Sequence, residues 1–287
     1  MLEIRWLGAA GIEIKHEHHV LLIDPYFTRI SKRQILFGRP APDKNSVKQY
    51  LADLPGTLAG IIISHTHFDH AMDAPAFAAC TNSPLIGSQS LDRLLEINGF
   101  RGRVTVCENR RAHLLDGNIK VQMLPSKHGL VLLGRVPYPG EIKPAAELPL
   151  NVRDYRLGSV YAPLIEMGGV TFMHIGSANF IADELQGRHC DILFLCVPGW
   201  KAVPEYPERL LEILQPRVIV PFHFDDFSVP LKPGGRLRRL PFLDMNGFLN
   251  QIKSRWPRIE IRIPDILQPI RFDSGSLRTD QKAGMNN

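Results

Sequence analysis

The sequence predicts an α/β fold in which two β-sheets pack face to face with helices on the outside. Three observations carry this. Short β-branched and aliphatic runs recur along the chain. In the first half they follow one another as hairpins, and in the second half they alternate with amphipathic stretches. Hydrophobic residues are 44% of the 287 and charged residues 22%, ample apolar side chain for a core between two layers.

Taken in order, the strand-like runs are Glu3–Leu7, Gly11–His16, Val20–Ile23, Gly60–Ser64, Val104–Cys107 and Lys120–Leu124. They continue as Ala162–Glu166, Val170–His174, Ile192–Cys196, Val218–Pro221 and Ile259–Ile263. Helices are expected at Val47–Leu54, Leu91–Ile97, Phe180–Leu185, Glu208–Leu214 and Gly247–Arg255, where apolar residues recur at helical spacing. Two segments interrupt the alternation. Leu130–Leu157 holds Pro137, Pro139, Pro144 and Pro149, and is too long for an ordinary connection. Ser228–Pro241 holds Pro230, Pro233 and Gly234-Gly235. The expected organisation is one domain over 1–272, with a lid-like insertion at about 130–157 and a polar tail over 273–287.

Composition excludes several classes. No apolar stretch reaches the length of a membrane span, and the N-terminus lacks a signal peptide's charged start and apolar middle. Cys80, Cys107, Cys190 and Cys196 are widely spaced, which reads as reduced thiols in a cytoplasmic protein. The net charge is +5. Basic residues are spread out, apart from Lys232, Arg236, Arg238 and Arg239, so no nucleic-acid partner is expected and an anionic small molecule is allowed. Neither Gly-x-Ser-x-Gly nor Gly-x-x-x-x-Gly-Lys occurs.

The chemistry is concentrated in Ser64-His65-Thr66-His67-Phe68-Asp69-His70, directly after Ile61-Ile62-Ile63. His65 and His67 leave a strand's end two residues apart and point the same way. Asp69 and His70 follow at the turn and face a second position. Imidazole with carboxylate suits zinc, and also manganese and iron.

His-x-His-x-Asp-His after a buried strand resembles the signature of the metallo-β-lactamase fold superfamily. Trp6-Leu7-Gly8-Ala9-Ala10-Gly11-Ile12 with Leu22-Ile23-Asp24-Pro25 resembles its opening hairpin, and Pro221-Phe222-His223-Phe224 its closing motif. Within the superfamily the chain looks most like the branch of ascorbate-6-phosphate lactonase and the phospholipase D that cleaves N-acylphosphatidylethanolamine. The resemblance implies a four-layer αβ/βα sandwich of two mixed sheets. It also implies a binuclear site, with His65, His67 and His128 on one metal and Asp69, His70 and His223 on the other. His113 competes with His128 but precedes the strand, at its opposite edge.

One position departs from the pattern. Where the family places a bridging aspartate, this chain has Ser177 in Gly176-Ser177-Ala178, which costs a negative charge and weakens the second site. Asn179 or Asp183 could compensate for that loss, although Asn179 reads as part of the turn and Asp183 as part of the first turn of the next helix, where a negative charge is favoured. Asp24 either orients a ligand histidine through its outer nitrogen or initiates the turn before Pro25. His174 either contacts substrate or is structural. His16, His18 and His19 read as exposed on a hairpin turn.

The expected activity is a metal-dependent hydrolase in which coordination lowers the pKa of water from ~15.7 toward ~7. Asp69 would orient the nucleophile. His174 or a residue of Leu130–Leu157 would assist the leaving group. The substrate class implied is a small ester, lactone or amide, phosphorylated or not, with Arg135, Arg153, Arg156 and the 232–239 group as anion contacts. The alternatives are a phosphodiesterase of the phospholipase D kind and, from another class, a metal- or ligand-binding protein weakened by Ser177.

Overall fold

The structure is a computed structural model that describes residues 1–107, 110–131, 134–231 and 237–273. Among these residues the first sheet contains β1 (Leu2–Gly8), β2 (Gly11–His16), β3 (His19–Ile23), β4 (Thr57–Ile62), β5 (Leu85–Gly87) and β6 (Val104–Val106). The second contains β7 (Ala112–Leu115), β8 (Ile119–Pro125), β9 (Tyr161–Met167), β10 (Val170–Ile175), β11 (Ile192–Cys196), β12 (Val218–Phe222) and β13 (Glu260–Ile261). A last strand, β14 (Pro269–Phe272), returns to the first sheet beside β1, giving the order β14-β1-β2-β3-β4-β5-β6 against β13-β12-β11-β10-β9-β8-β7.

Both sheets are mixed. The first is antiparallel from β14 to β3 and parallel from β3 to β6. The second is antiparallel from β7 to β10 and parallel from β10 to β13. The helices are α1 (Lys32–Phe37), α2 (Lys44–Ala52), α3 (Phe68–Ala71), α4 (Ala74–Cys80), α5 (Gln89–Ile97), α6 (Ala182–Leu185), α7 (Glu208–Leu214) and α8 (Met245–Arg255).

Alternation along the strands builds the layers. Leu21, Ile23 and Ile62 join the core between the sheets with Val121, Met123, Ile165 and Phe172. Their neighbours Val20, Leu22, Ile61 and Ile63 face the other way, into a second core under Phe77, Leu91 and Leu94 of α4 and α5. Leu210, Leu214, Phe248 and Ile252 of α7 and α8 cover the second sheet. The four-layer sandwich expected from the sequence is the architecture found.

Several elements differ from the sequence reading. β5, β7 and β14 were not expected, because runs of three or four residues show no readable alternation. Nor were α1, α3 and α4; α4 is Ala-rich with five buried residues, so it lacks a polar face to mark it as amphipathic. The helix expected at Phe180–Leu185 begins only at Ala182. Val47–Leu54 begins instead at Lys44, because Asp43 caps it by accepting from Asn45 N and Ser46 N. Among His16, His18 and His19 only His18 is exposed, since His16 lies against Gly168 and His19 against Gly117.

The Leu130–Leu157 segment is anchored. Ile142, Leu150, Val152 and Tyr155 are buried in the second core. Thr66 N donates to Leu157 O at 3.0 Å and Gly158 N to Gly140 O at 2.9 Å. Lys232, Pro233, Gly234, Gly235 and Arg236 of the second loop, and the tail from residue 274, lie outside the described residues. No helix among the described residues is long and apolar enough to cross a membrane.

Candidate metal centre

Strand ends of both sheets converge on one spot. His65 follows β4, and α3 begins three residues later, so Asp69 and His70 sit on a tight helical turn over the strand's end. His128 follows β8 and His223 follows β12. One ligand atom from each of His65, His67 and His128 lies within 4.8 Å of the others, and the same holds for Asp69, His70 and His223. The groups adjoin, with the His65 and His70 rings 3.7 Å apart. All six residues are buried. They are the six that the sequence singled out.

Neighbouring atoms decide which nitrogen of each ring keeps a lone pair. His67 Nε2 lies 2.9 Å from Pro137 O, which can only accept, so the proton is there and Nδ1 is left bare. His128 Nδ1 donates to Gly129 O at 2.7 Å, leaving Nε2. His70 Nδ1 donates to Asp24 Oδ2 at 2.8 Å, again leaving Nε2. Ser64 Oγ gives its proton to Asp24 Oδ2 at 2.5 Å and so accepts from His65 Nδ1 at 3.2 Å. His65 Nε2 is then a buried nitrogen with no partner among the described residues. A buried, orphaned lone pair is costly unless an electrophile takes it.

The electrostatics fit a cation. Burial, then the neighbouring His70, His67, His128 and His223, holds His65 well below an ordinary imidazole. Burial and His128 bring His67 down to about 3, and burial chiefly brings His128 down to about 4. All three are neutral donors at pH 7. Burial raises the Asp69 carboxyl, but His70 and His223 outweigh it and hold the group below the usual carboxylate range. For His70, burial lowers the pKa, while Asp24 and Asp69 more than offset it. Imidazoles with one carboxylate and an orphaned nitrogen form a donor set that fits zinc-like metals.

Asp24 lies behind the centre, at φ +46°, with Oδ1 accepting Ser64 N at 2.7 Å and Oδ2 holding His70. That is the ligand-orienting geometry. Ser177 Oγ accepts Gly129 N at 2.9 Å, and Asn179 Nδ2 donates to His128 O at 3.0 Å. The Ser177 turn therefore grips both polar atoms of the peptide bond that follows His128. Asp183 stands in the first turn of α6.

His174 does not fit a leaving-group role. It is fully buried, with Nε2 donating to Ala10 O at 3.1 Å and the ring against Phe222 at 4.8 Å, so no face reaches a substrate. His113 sits on edge strand β7, its Nε2 3.8 Å from Cys107 Sγ, outside both triads. Arg135 and Arg153 are exposed, and Arg156 Nη1 donates to Pro139 O at 3.0 Å. Arg238 and Arg239 are exposed as well. Ser64, Gly129 and Pro137 carry no sequence signal for the contacts they make, since two act through backbone carbonyls.

A family model described as a beta-lactamase superfamily domain matches residues 3–223. Over 231 residues the chain is 26% identical to a UPF0173 metal-dependent hydrolase of Thermococcus onnurineus, covering 78% of this chain and 85% of that protein. Among solved structures it resembles Igni18, a metallo hydrolase from the archaeon Ignicoccus hospitalis, with TM-score 0.59 at 16% identity over 95% of this chain and 98% of that one. It also resembles CmlA, a diiron β-hydroxylase from Streptomyces venezuelae, with TM-score 0.58 at 15% identity over 94% of this chain and 54% of that one.

Proposed function

This chain belongs to the beta-lactamase superfamily, and from that membership we propose that it is a metal-dependent hydrolase of a small ester, lactone or amide, phosphorylated or not. The observation that supports this best is the pair of adjacent buried triads, each with its ligand atoms within 4.8 Å. Two zinc ions are the proposed occupants, on His65, His67 and His128, and on Asp69, His70 and His223. Manganese and iron suit the same donors. A bound metal supplies Lewis acidity and lowers the pKa of water toward ~7.

The chain's own residues do the rest. Asp69 Oδ2 faces His223 Nε2 at 3.3 Å, which leaves Oδ1 to orient the attacking water and take its proton. Asp24 and Pro137 O keep the rings of His70 and His67 in their donor tautomers. With His174 buried, the leaving group's proton comes from the Leu130–Leu157 segment. Tyr138 on that segment stands edge-on to His67, with ring centroids 6.4 Å apart.

The test is elemental analysis of protein purified without chelator, paired with a screen of esters, lactones, amides and phosphodiesters. Two metals per chain with chelator-sensitive turnover of a carbonyl substrate is the expected result. Turnover confined to phosphodiesters would replace the substrate class. Bound metal without turnover would favour the binding-protein alternative that Ser177 supports. On the substrate found, Tyr138→Phe is expected to lower kcat by about 10²-fold with metal content unchanged.

A further inference from the structure

Arg29 and Asp225 form a buried ion pair that the chemistry above does not use. Arg29 Nη1 lies 2.7 Å from Asp225 Oδ2, with the side chains 2% and 3% exposed. A buried pair is tolerated when further hydrogen bonds meet its remaining atoms. Asp225 Oδ1 accepts Ala9 N at 2.8 Å and Arg29 Nη2 donates to Leu7 O at 3.2 Å, while Arg29 Nε is buried with no partner among the described residues. The guanidinium also lies over the Tyr26 ring, 5.4 Å from its centroid. Gly8, at φ +80°, passes so close that a Cβ there would stand 1.8 Å from Arg29 Nη2 and 3.0 Å from Asp225 Oδ2. The pair thus joins three places in the chain: the turn after β1, the segment after β3 and the turn after β12.

His223 is what such a junction serves. The other four ligand histidines each have a ring nitrogen fixed by a partner: Ser64 Oγ, Pro137 O, Asp24 or Gly129 O. His223 Nδ1 is buried with no partner among the described residues. Its backbone is at φ +66°, a region that non-glycine residues enter rarely. Apart from Nε2 facing Asp69 at 3.3 Å, its aim is therefore set through the main chain, and Asp225, two residues on, is where that main chain is tied. On the other side Tyr26 meets Phe68 edge-on at 6.1 Å, directly before Asp69.

We infer that Arg29 and Asp225 are positioning residues for the second triad, holding His223 toward Asp69 and His70, and that the first triad does not depend on them. This rests on the metal reading of the triads. Titration of the apoprotein with cobalt(II), followed by visible absorption and elemental analysis, tests it, with near-UV circular dichroism reporting the fold. His128→Ala marks which signal belongs to the first triad.

Arg29→Met is expected to weaken the second site about 10–100-fold while the first stays within about threefold of wild type. Arg29→Lys recovers part of the loss, because it keeps the charge but not the fork. Gly8→Ala, which pushes on the guanidinium without removing a charge, weakens the same site. If Arg29→Met fails to fold, Asp225→Asn reads the same split while keeping an acceptor for Ala9. Unchanged sites in a folded Arg29→Met protein, or equal loss at both, overturn the inference and leave the metal reading standing. A wild-type protein that takes up no cobalt overturns both.

Discussion

Asp24 shows how one side chain governs another's chemistry. Its carboxylate holds the proton on His70 Nδ1, so His70 Nε2 is the atom free to donate. Asp24→Asn is expected to weaken metal at the second triad about 10–100-fold, measured by competition with a chelating dye. His174 gives a prediction of another kind. Burial, above all, lowers it to about 4, so the fold favours its neutral form while the unfolded chain protonates near its ordinary 6.5. Its contribution to stability is fully present above about pH 6.5 and is lost as pH falls toward 4. In metal-free protein, denaturant unfolding across that window should show a shallower pH slope in His174→Leu, by one proton. The six centre residues were legible because histidine and aspartate are rare in buried runs and stood at readable strand ends. Their partners were not. Any residue offers a carbonyl like that of Pro137, and it reaches His67 from 70 positions away.

At the scale of elements, the anchored segment between β8 and β9 carries the main prediction. It is fastened to Thr66 through Leu157 and touches a ligand ring through Pro137. Metal that fixes His67 therefore also fixes the acceptor on its far nitrogen. Limited proteolysis within residues 134–157 should slow on metal addition and quicken with chelator, as read by fragment mass. Equal cleavage in both states would show that the segment does not sense the centre. Pro-rich composition marked the segment in the sequence, but its buried Ile142, Leu150, Val152 and Tyr155 have no regular spacing to announce an anchor. The long strands were legible from alternation. β5, β7 and β14 were not, being too short to show a period.

In the whole molecule each triad straddles the two sheets. His65, His67, Asp69 and His70 come from the first, and His128 and His223 from the second. Metal bound there favours the assembled state over the unfolded one. At a free concentration of about 100 Kd it should add roughly 2.7 kcal/mol per independent site, seen as a chelator-reversible rise in Tm. His128→Ala should lose the share of one site. The layer order was legible because two stacked sheets with helices outside would bury all the apolar runs, and the motifs resemble a family with that arrangement. Which strands become neighbours was not, since pairing between distant segments leaves no local mark. The pairing of β14 with β1, with Leu2 opposite Phe272, has a consequence for synthesis. β1 waits along one edge until β14, made more than 250 residues later, emerges from the ribosome. A nascent chain halted before residue 269 would hold all six centre residues and still present β1 as an unpaired edge, open to another chain.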